Sequence, residues 1–109
     1  MIPQPRSSYV AEGQKQDLEK QLSELPDTVA TAQENWGIKK LEREKVEALL
    51  HMTFKAKGGF TVADIKAATN ADGGRYMAML EEIKAEAQYN RVYEQLMSVK
   101  KLASLRTAF

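Results

Sequence analysis

The sequence predicts an all-α chain, built as a long antiparallel helical hairpin with a short connecting helix. Apolar residues recur at intervals of three and four along two long stretches of the 109 residues. Glycine pairs at Gly58-Gly59 and Gly73-Gly74 separate these two stretches from a short one between them. No stretch alternates convincingly between apolar and polar residues, so no sheet is expected.

Composition narrows the class of protein. The net charge is +1, so the electrostatic field of the whole chain does not favour binding to nucleic acid or to a membrane. The absence of cysteine excludes disulfides and thiolate metal sites. No apolar run approaches the roughly 20 residues needed to span a bilayer, and residues 1–8 lack the apolar stretch of a secretory signal. A cytoplasmic location is therefore expected.

The N-terminal half predicts an arm followed by helices. Residues 1–12 hold two of the three prolines and are expected to form a flexible arm. A heptad pattern typical of lengthwise helix packing then begins. Its members are Leu18, Leu22, Leu25, Val29, Ala32 and Trp36. Pro26 lies inside this pattern, where proline either opens a new helix or bends a continuous one. We favour a short helix over 13–24 and a long one over 26–57.

Beyond Trp36 the apolar pattern is expected to shift around the helix. The predicted inward positions are Ile38, Leu41, Lys45, Leu49 and Met52, flanked by Val46, Leu50 and Phe54. The charged residues between them are expected to form a solvated face with ion pairs three or four residues apart. This predicted outer face holds Lys39, Lys40, Glu42, Arg43, Glu44 and Glu47.

The glycine pairs set the ends of the remaining helices. Gly58-Gly59 is expected to end the long helix, because glycine readily adopts the left-handed cap. Thr61 is the expected N-cap of a short helix over 61–70, with Asp64 as its capping-box partner. A last helix is expected over 74–107. Its apolar positions are Tyr76, Met79, Leu80, Ile83 and Ala87, then Tyr89, Val92, Leu96, Val99 and Ala103.

The apolar surface exceeds what one hairpin can bury. Because one partner helix covers only part of each wide stripe, a homo-oligomer is expected. The residues predicted to pack within the chain or between copies are Leu18, Leu22, Leu25, Val29, Trp36, Leu41, Tyr76, Leu80, Ile83 and Leu96.

No residue pattern predicts catalysis. His51 is the single histidine and is expected to be a structural or surface residue. Neither glycine pair follows a strand or carries the lysine and hydroxyl of a phosphate-binding loop, so helix termination explains both. No catalytic residue, metal ligand or cofactor site is predicted, and the chain is expected not to be an enzyme.

Two groups of cations are candidates for contact with single-stranded DNA. From residue 95 to 109 the chain carries three cations and no acid, and Tyr89 and Tyr93 lie one helical turn apart just before it. A basic strip beside aromatic rings can hold a phosphate backbone and stack bases. Cations near a helix C-terminus also simply complement the helix dipole. The candidates are Lys100, Lys101, Arg106 and Arg91, with Lys39, Lys40 and Arg43 as a second group interleaved with glutamates.

The layout of residues 30–109 resembles that of small helical bacteriophage proteins of recombination and replication, in particular the recombination mediators. The resemblance lies in the charged helix around residues 41–48, the short helix from Thr61 and the segment 102–106. It implies an oligomeric accessory protein that binds single-stranded DNA without sequence readout, a recombinase partner, or both. The alternative is a helical adaptor or scaffold that binds only proteins.

Overall fold

The computed structural model describes the backbone of residues 4–107 and the side chains of residues 16–105. The chain forms three helices, α1 (Gln4–Lys57), α2 (Val62–Ala71) and α3 (Gly73–Thr107). No strand occurs within residues 4–107. This arrangement confirms the predicted all-α hairpin with a short connecting helix.

The first helix is longer than predicted. The predicted helices over 13–24 and 26–57 are one continuous helix, with Pro26 inside it. The backbone of residues 4–12, within the predicted flexible arm over 1–12, is helical and belongs to α1, while residues 1–3 lie outside the described part. Pro5 falls in the first turn, where the backbone N–H groups lack helical partners anyway.

Tertiary packing explains why Pro26 does not end the helix. Proline removes one backbone hydrogen bond and strains the preceding turn, at a cost of about 3 kcal/mol. Pro26 itself is exposed, whereas its neighbour Leu25 is buried and Val29 packs beside it. Apolar contacts on both sides of the proline therefore offset the local cost.

The chain divides into two compact units, where the sequence predicts a single helical domain over 13–109. Unit 1 comprises Met1–Thr31 and Asn90–Phe109, and unit 2 comprises Ala32–Tyr89. Each unit pairs a segment of α1 with a segment of α3 that runs in the opposite direction, and unit 2 also contains α2.

The core of unit 1 confirms the predicted heptads. Leu25, Leu96 and Val99 form a buried cluster. Leu18, Leu22 and Val29 pack against it and are partly buried. These are the positions at which the sequence places apolar residues every three or four steps, so simple periodicity predicts this unit well.

The connections between helices follow the predicted caps. Gly58 and Gly59 have positive φ angles of 73° and 77°, and the Gly58 N–H donates to the carbonyl of Lys55 at 3.2 Å. Thr61 and Asp64 form a capping box in which each side chain accepts a hydrogen bond from the other's backbone N–H, at 3.1 and 3.0 Å. The two predicted signals therefore act together to reverse the chain.

The hydrogen bonds of this cap also affect the acid within it. The Thr61 backbone N–H, and then its hydroxyl, hold the pKa of Asp64 below its ordinary value. The stabilisation by the ionised cap is therefore present above the ordinary pKa of an aspartate. It is lost as the pH falls through the lowered pKa of the folded chain.

Replacing the N-cap should weaken α2. We expect Thr61→Ala to lower the free energy of unfolding by about 1 kcal/mol. The Asp64 N–H loses its acceptor, and the Thr61 N–H loses the geometry of its hydrogen bond to Asp64. Urea denaturation followed by circular dichroism measures this. Thr53→Ala is the matched control, since its hydroxyl only bonds the Leu49 carbonyl one turn back at 2.8 Å. Equal losses for the two variants would contradict the capping role.

Candidate interaction surfaces

In unit 2 the inner face of α1 keeps the heptad phase of the N-terminal half. Half-buried residues continue at steps of three and four: Trp36, Lys39, Arg43, Val46 and Leu50. The predicted shift to an inward stripe from Ile38 to Met52 is wrong. The same heptad face of α1 remains the inner one in unit 2, where Glu82 on α3 pairs with Arg43.

The predicted inward stripe of α1 is instead exposed. We call Ile38, Leu41, Lys45, Leu49 and Met52 the outer stripe. Its four apolar members are 46%, 65%, 54% and 65% exposed, respectively. At 3.6 residues per turn these positions lie on the side of α1 away from Arg43 and Val46. Unit 2 therefore has an apolar helix surface that its own α2 and α3 leave uncovered.

The apolar positions of α3 differ between its two halves. In the second half Val92, Leu96 and Val99 are buried, as predicted. In the first half Ala85 is buried, whereas several predicted packing positions are not. Among the predicted packing residues of unit 2, Trp36 and Leu80 are half-buried, while Leu41, Tyr76 and Ile83 are exposed. These three side chains are more than half exposed within the described part of the chain.

A cluster of charges occupies the inner face of unit 2. Arg43 donates hydrogen bonds to Glu82 on α3 and, at 3.1 Å, to Glu47 one turn along its own helix. Glu47 also accepts a hydrogen bond from Nε of Arg75 at 2.9 Å. The side chains of these four residues are 16–29% exposed. The cluster thus connects α1 to α3 at positions that a coiled coil would normally fill with apolar residues.

The ion pairs shift the pKa values of their members. The hydrogen bond to Glu82 is the largest effect on Arg43 and raises its pKa, against an opposing effect of burial. Burial alone would raise the pKa of Glu47, but hydrogen bonds from Arg75 and Arg43 outweigh it and lower the pKa. The contribution of Glu47 to stability is therefore present above its ordinary pKa, and it is lost as pH falls through the lowered one.

Removing only one member of the Arg43–Glu82 pair should lower the free energy of unfolding more than removing both. We expect Arg43→Leu to lower the free energy of unfolding by about 1–3 kcal/mol, because Glu82 is left half-buried without its cation. The double variant Arg43→Leu/Glu82→Leu should recover to within about 1 kcal/mol of the wild type, since leucines suit these heptad positions. Urea denaturation of the four proteins of this cycle measures the difference. A loss in the double variant equal to the sum of the single losses would contradict the pairing.

The sequence prediction does not include the charged cluster, because it assigns Arg43 to the solvated face. Continuing the heptad unchanged from Trp36 would have put Lys39 and Arg43 inside. The same heptad on α3, followed backwards from Tyr89, reaches Ala85 and Glu82. A glutamate opposite an arginine at core positions is the signal that could have identified the pair.

The predicted DNA-binding cations differ in whether they are exposed or already paired within the chain. Lys39 is paired with Glu42 at 3.2 Å, and Arg43 belongs to the charged cluster. Arg91 is exposed but already has a partner within the chain. Lys40, Lys100 and Lys101 are exposed, and the side chain of Arg106 lies outside the described residues. The exposed pair Lys100 and Lys101 is therefore the strongest remaining cationic candidate.

The predicted role of Tyr89 in base stacking is not supported by its position. Its ring stacks on Trp36 with centroids 5.4 Å apart and an interplanar angle of 30°. Both side chains are half-buried within unit 2. Stacking of this kind stabilises the pairing of α1 with α3, so the Tyr89 face in contact with Trp36 is not open to a base. Tyr93 is 43% exposed and has a partner within the chain.

Comparisons with known proteins give no assignment. No family model matches the chain, and no match was found among curated proteins or solved structures. Within the described residues, no helix is long and apolar enough to cross a membrane. No group of three or more histidine or acidic side chains in that part of the chain is placed to hold a metal ion.

Proposed function

We propose that this chain is a non-enzymatic assembly protein that forms homo-oligomers through the outer stripe of α1. The observation that carries this proposal is the exposure of Ile38, Leu41, Leu49 and Met52 on one helix face. These residues extend over roughly 21 Å at 1.5 Å per residue. Contiguous exposed apolar surface is typical of interaction sites in proteins.

The spacing of the stripe favours a second copy of the same helix. In an antiparallel coiled-coil register, Leu41 lies opposite Met52 of the other copy, and Lys45 lies opposite the small Ala48. Two-fold symmetry repeats each layer. A parallel, in-register pair would instead bring Lys45 against the same lysine of the other copy. The apolar layers and the avoided charge repulsion therefore both support an antiparallel pair.

The polar side chains beside the stripe are complementary in the same arrangement. Glu44 and His51 occupy equivalent flanking positions of the heptad, and antiparallel pairing places Glu44 of each copy beside His51 of the other. Flanking residues of this kind select partner and orientation in coiled coils. A stripe whose apolar layers and flanking residues are both complementary to themselves is what a symmetric dimer requires.

Sedimentation equilibrium of the full chain tests the proposal. We expect a mass that is a multiple of 12.3 kDa and that falls on dilution through the micromolar range. Burial of apolar surface should also make association weaken on cooling. A mass of 12.3 kDa at every concentration would contradict self-assembly.

The exposed Lys100 and Lys101 favour a second candidate function, the binding of single-stranded DNA. Both lie in a segment, residues 95–109, that contains no acid. Neutralising phosphates releases counterions and requires no base readout. Together with self-assembly, this would suit an accessory protein of phage-type recombination or replication, as the resemblance in layout implies, because repeated strips in an oligomer increase avidity.

A salt titration tests the DNA candidate. Labelled single-stranded DNA is titrated at several salt concentrations between about 50 and 200 mM with wild type and Lys100→Ala/Lys101→Ala. We expect the slope of log affinity against log salt to fall by about 1.4, at about 0.7 per lost phosphate contact. Lys55→Ala/Lys57→Ala removes the same charge from the end of α1 and is the control. No binding by the wild type at about 50 mM salt would exclude the function.

A further inference from the structure

A cavity of about 420 Å³ lies between α1, α2 and the first turn of α3 within unit 2. Sites for small ligands usually have volumes of about 300–1,000 Å³. The walls include Arg43, His51, Lys66, Asn70 and Arg75. No residue of the outer stripe lines the cavity, although His51, which lines it, also flanks the stripe.

The walls of this cavity carry more cations than acids. Arg43, Lys66 and Arg75 are cationic, and Glu47 is the only carboxylate among the lining residues. With Glu82, the second acid that pairs with Arg43, the group still has a net charge of +1. Its field therefore favours an anion even after the internal ion pairs are formed.

Several hydrogen-bond donors on the walls are still available to a ligand. Arg75 uses Nε for its bond to Glu47, and no hydrogen bond to a described residue engages its two terminal nitrogens. Lys66 and His51 are exposed and form no ion pair with any residue in the described part of the chain. The Thr69 hydroxyl, buried in the same wall, also has no partner there. The cavity thus presents more donors than its own acceptors satisfy.

We propose that this cavity binds a phosphate group, with Arg75 and Lys66 as its main ligands and His51 and Asn70 beside them. The planar guanidinium of arginine matches two oxygens of a phosphate, and lysine adds a mobile point charge. The shared chemistry is a tetrahedral oxyanion. Its source is either free phosphate or the phosphate of a small molecule, for which the remaining volume has room.

Titration of the full, isotope-labelled chain followed by NMR tests the site. The probes are inorganic phosphate, a nucleoside 5′-monophosphate and, as control, chloride at equal ionic strength. We expect saturable shifts confined to residues around the cavity with either phosphate probe. Tighter binding of the monophosphate would show that the organic part of a phosphorylated small molecule fills the remaining volume. Equal affinities would identify free phosphate as the ligand. Shifts spread over all surface lysines, or none beyond chloride, would overturn the proposal.

Two substitutions make the test specific to the cavity. Lys66→Gln should weaken phosphate binding about tenfold or more, as expected for loss of a charged hydrogen bond. Lys84→Gln is the control, since Lys84 is 73% exposed, pairs with Glu81 and does not line the cavity. Arg75→Lys should also weaken binding, because the charge remains but the bidentate geometry is lost. Equal affinity of the Lys66 and Lys84 variants would overturn the site, provided that circular dichroism shows both to be folded.

Discussion

Leu96→Ala is expected to lower the free energy of unfolding by about 2–5 kcal/mol. Leu96 is 6% exposed and belongs to the cluster of buried residues in unit 1 with Leu25 and Val99. The substitution removes apolar contacts and leaves a cavity that neighbouring side chains fill only in part. Small proteins are stable by about 5–15 kcal/mol in total, so the loss is a large fraction. Urea denaturation monitored by circular dichroism measures it.

Leu102→Ala provides the control for this prediction. Leu102 lies on the same helix but is 52% exposed, so the same truncation removes little buried surface. We expect a loss below about 1 kcal/mol. Hydrogen exchange should show that the Leu96 variant loses amide protection first in unit 1. Equal destabilisation by the two substitutions would show that the cluster around Leu96 is not the core of this unit.

Leu41→Glu/Leu49→Glu is expected to dissociate the oligomer while leaving the fold of the chain intact. Burial of each leucine between copies contributes about 1.5–3 kcal/mol, so losing two from each copy should weaken association at least about 100-fold. The chain itself should lose little stability, because both side chains are more than half exposed within it. Sedimentation equilibrium measures the association, and circular dichroism measures the helix content.

Gln33→Glu, which adds one negative charge where the double variant adds two, is the control for added charge on α1. Gln33 is exposed on α1 within unit 2 but lies outside the outer stripe. We expect its association to match that of the wild type. If the control dissociates as readily as the double variant, general charge repulsion rather than the stripe explains the effect. An unchanged mass for the double variant would exclude the stripe as the interface.

Hydrophobic periodicity predicts unit 1 well, because its apolar residues fit only one choice of inward-facing heptad positions. From Leu18 to Val29, and from Val92 to Val99, a single set of positions is apolar at heptad spacing. The ends of the helices were also predictable, since Gly58 needs a positive φ and Thr61 supplies an acceptor for free N–H groups. In these segments local chemistry and tertiary packing favour the same structure.

Hydrophobic periodicity does not predict the second half of α1, because two alternative sets of inward-facing positions are possible there. The stripe from Ile38 to Met52 is the more apolar, and a rule that places apolar residues inside selects it. In the structure the other set of positions faces inward, and it contains Arg43, which pairs with Glu82. That choice depends on a partner 39 positions away in the chain, which no local pattern contains.

Tertiary contacts also explain the other differences between expectation and structure. Pro26 is a local signal for a helix end, but packing of Leu25 and Val29 outweighs it. The cavity of unit 2 combines His51 from α1, Lys66 from α2 and Arg75 from α3. Because these residues are separated in the sequence and belong to no known motif, only the fold brings them together.

Cross-linking between copies tests self-assembly through the outer stripe most directly. The chain has no cysteine, so Lys45→Cys and Ala48→Cys each introduce a single thiol. A disulfide forms only where Cα atoms approach within about 4.4–6.8 Å. In the antiparallel register position 45 of one copy lies opposite position 48 of the other. A mixture of the two variants should therefore form mixed dimers faster than either variant forms dimers with itself.

Gln33→Cys, off the stripe, should cross-link slowly under the same conditions. Mixed disulfides between positions 45 and 48, formed in preference to all others, are the result that self-assembly through the outer stripe predicts. Cross-linking no faster than that of the Gln33 variant would contradict it.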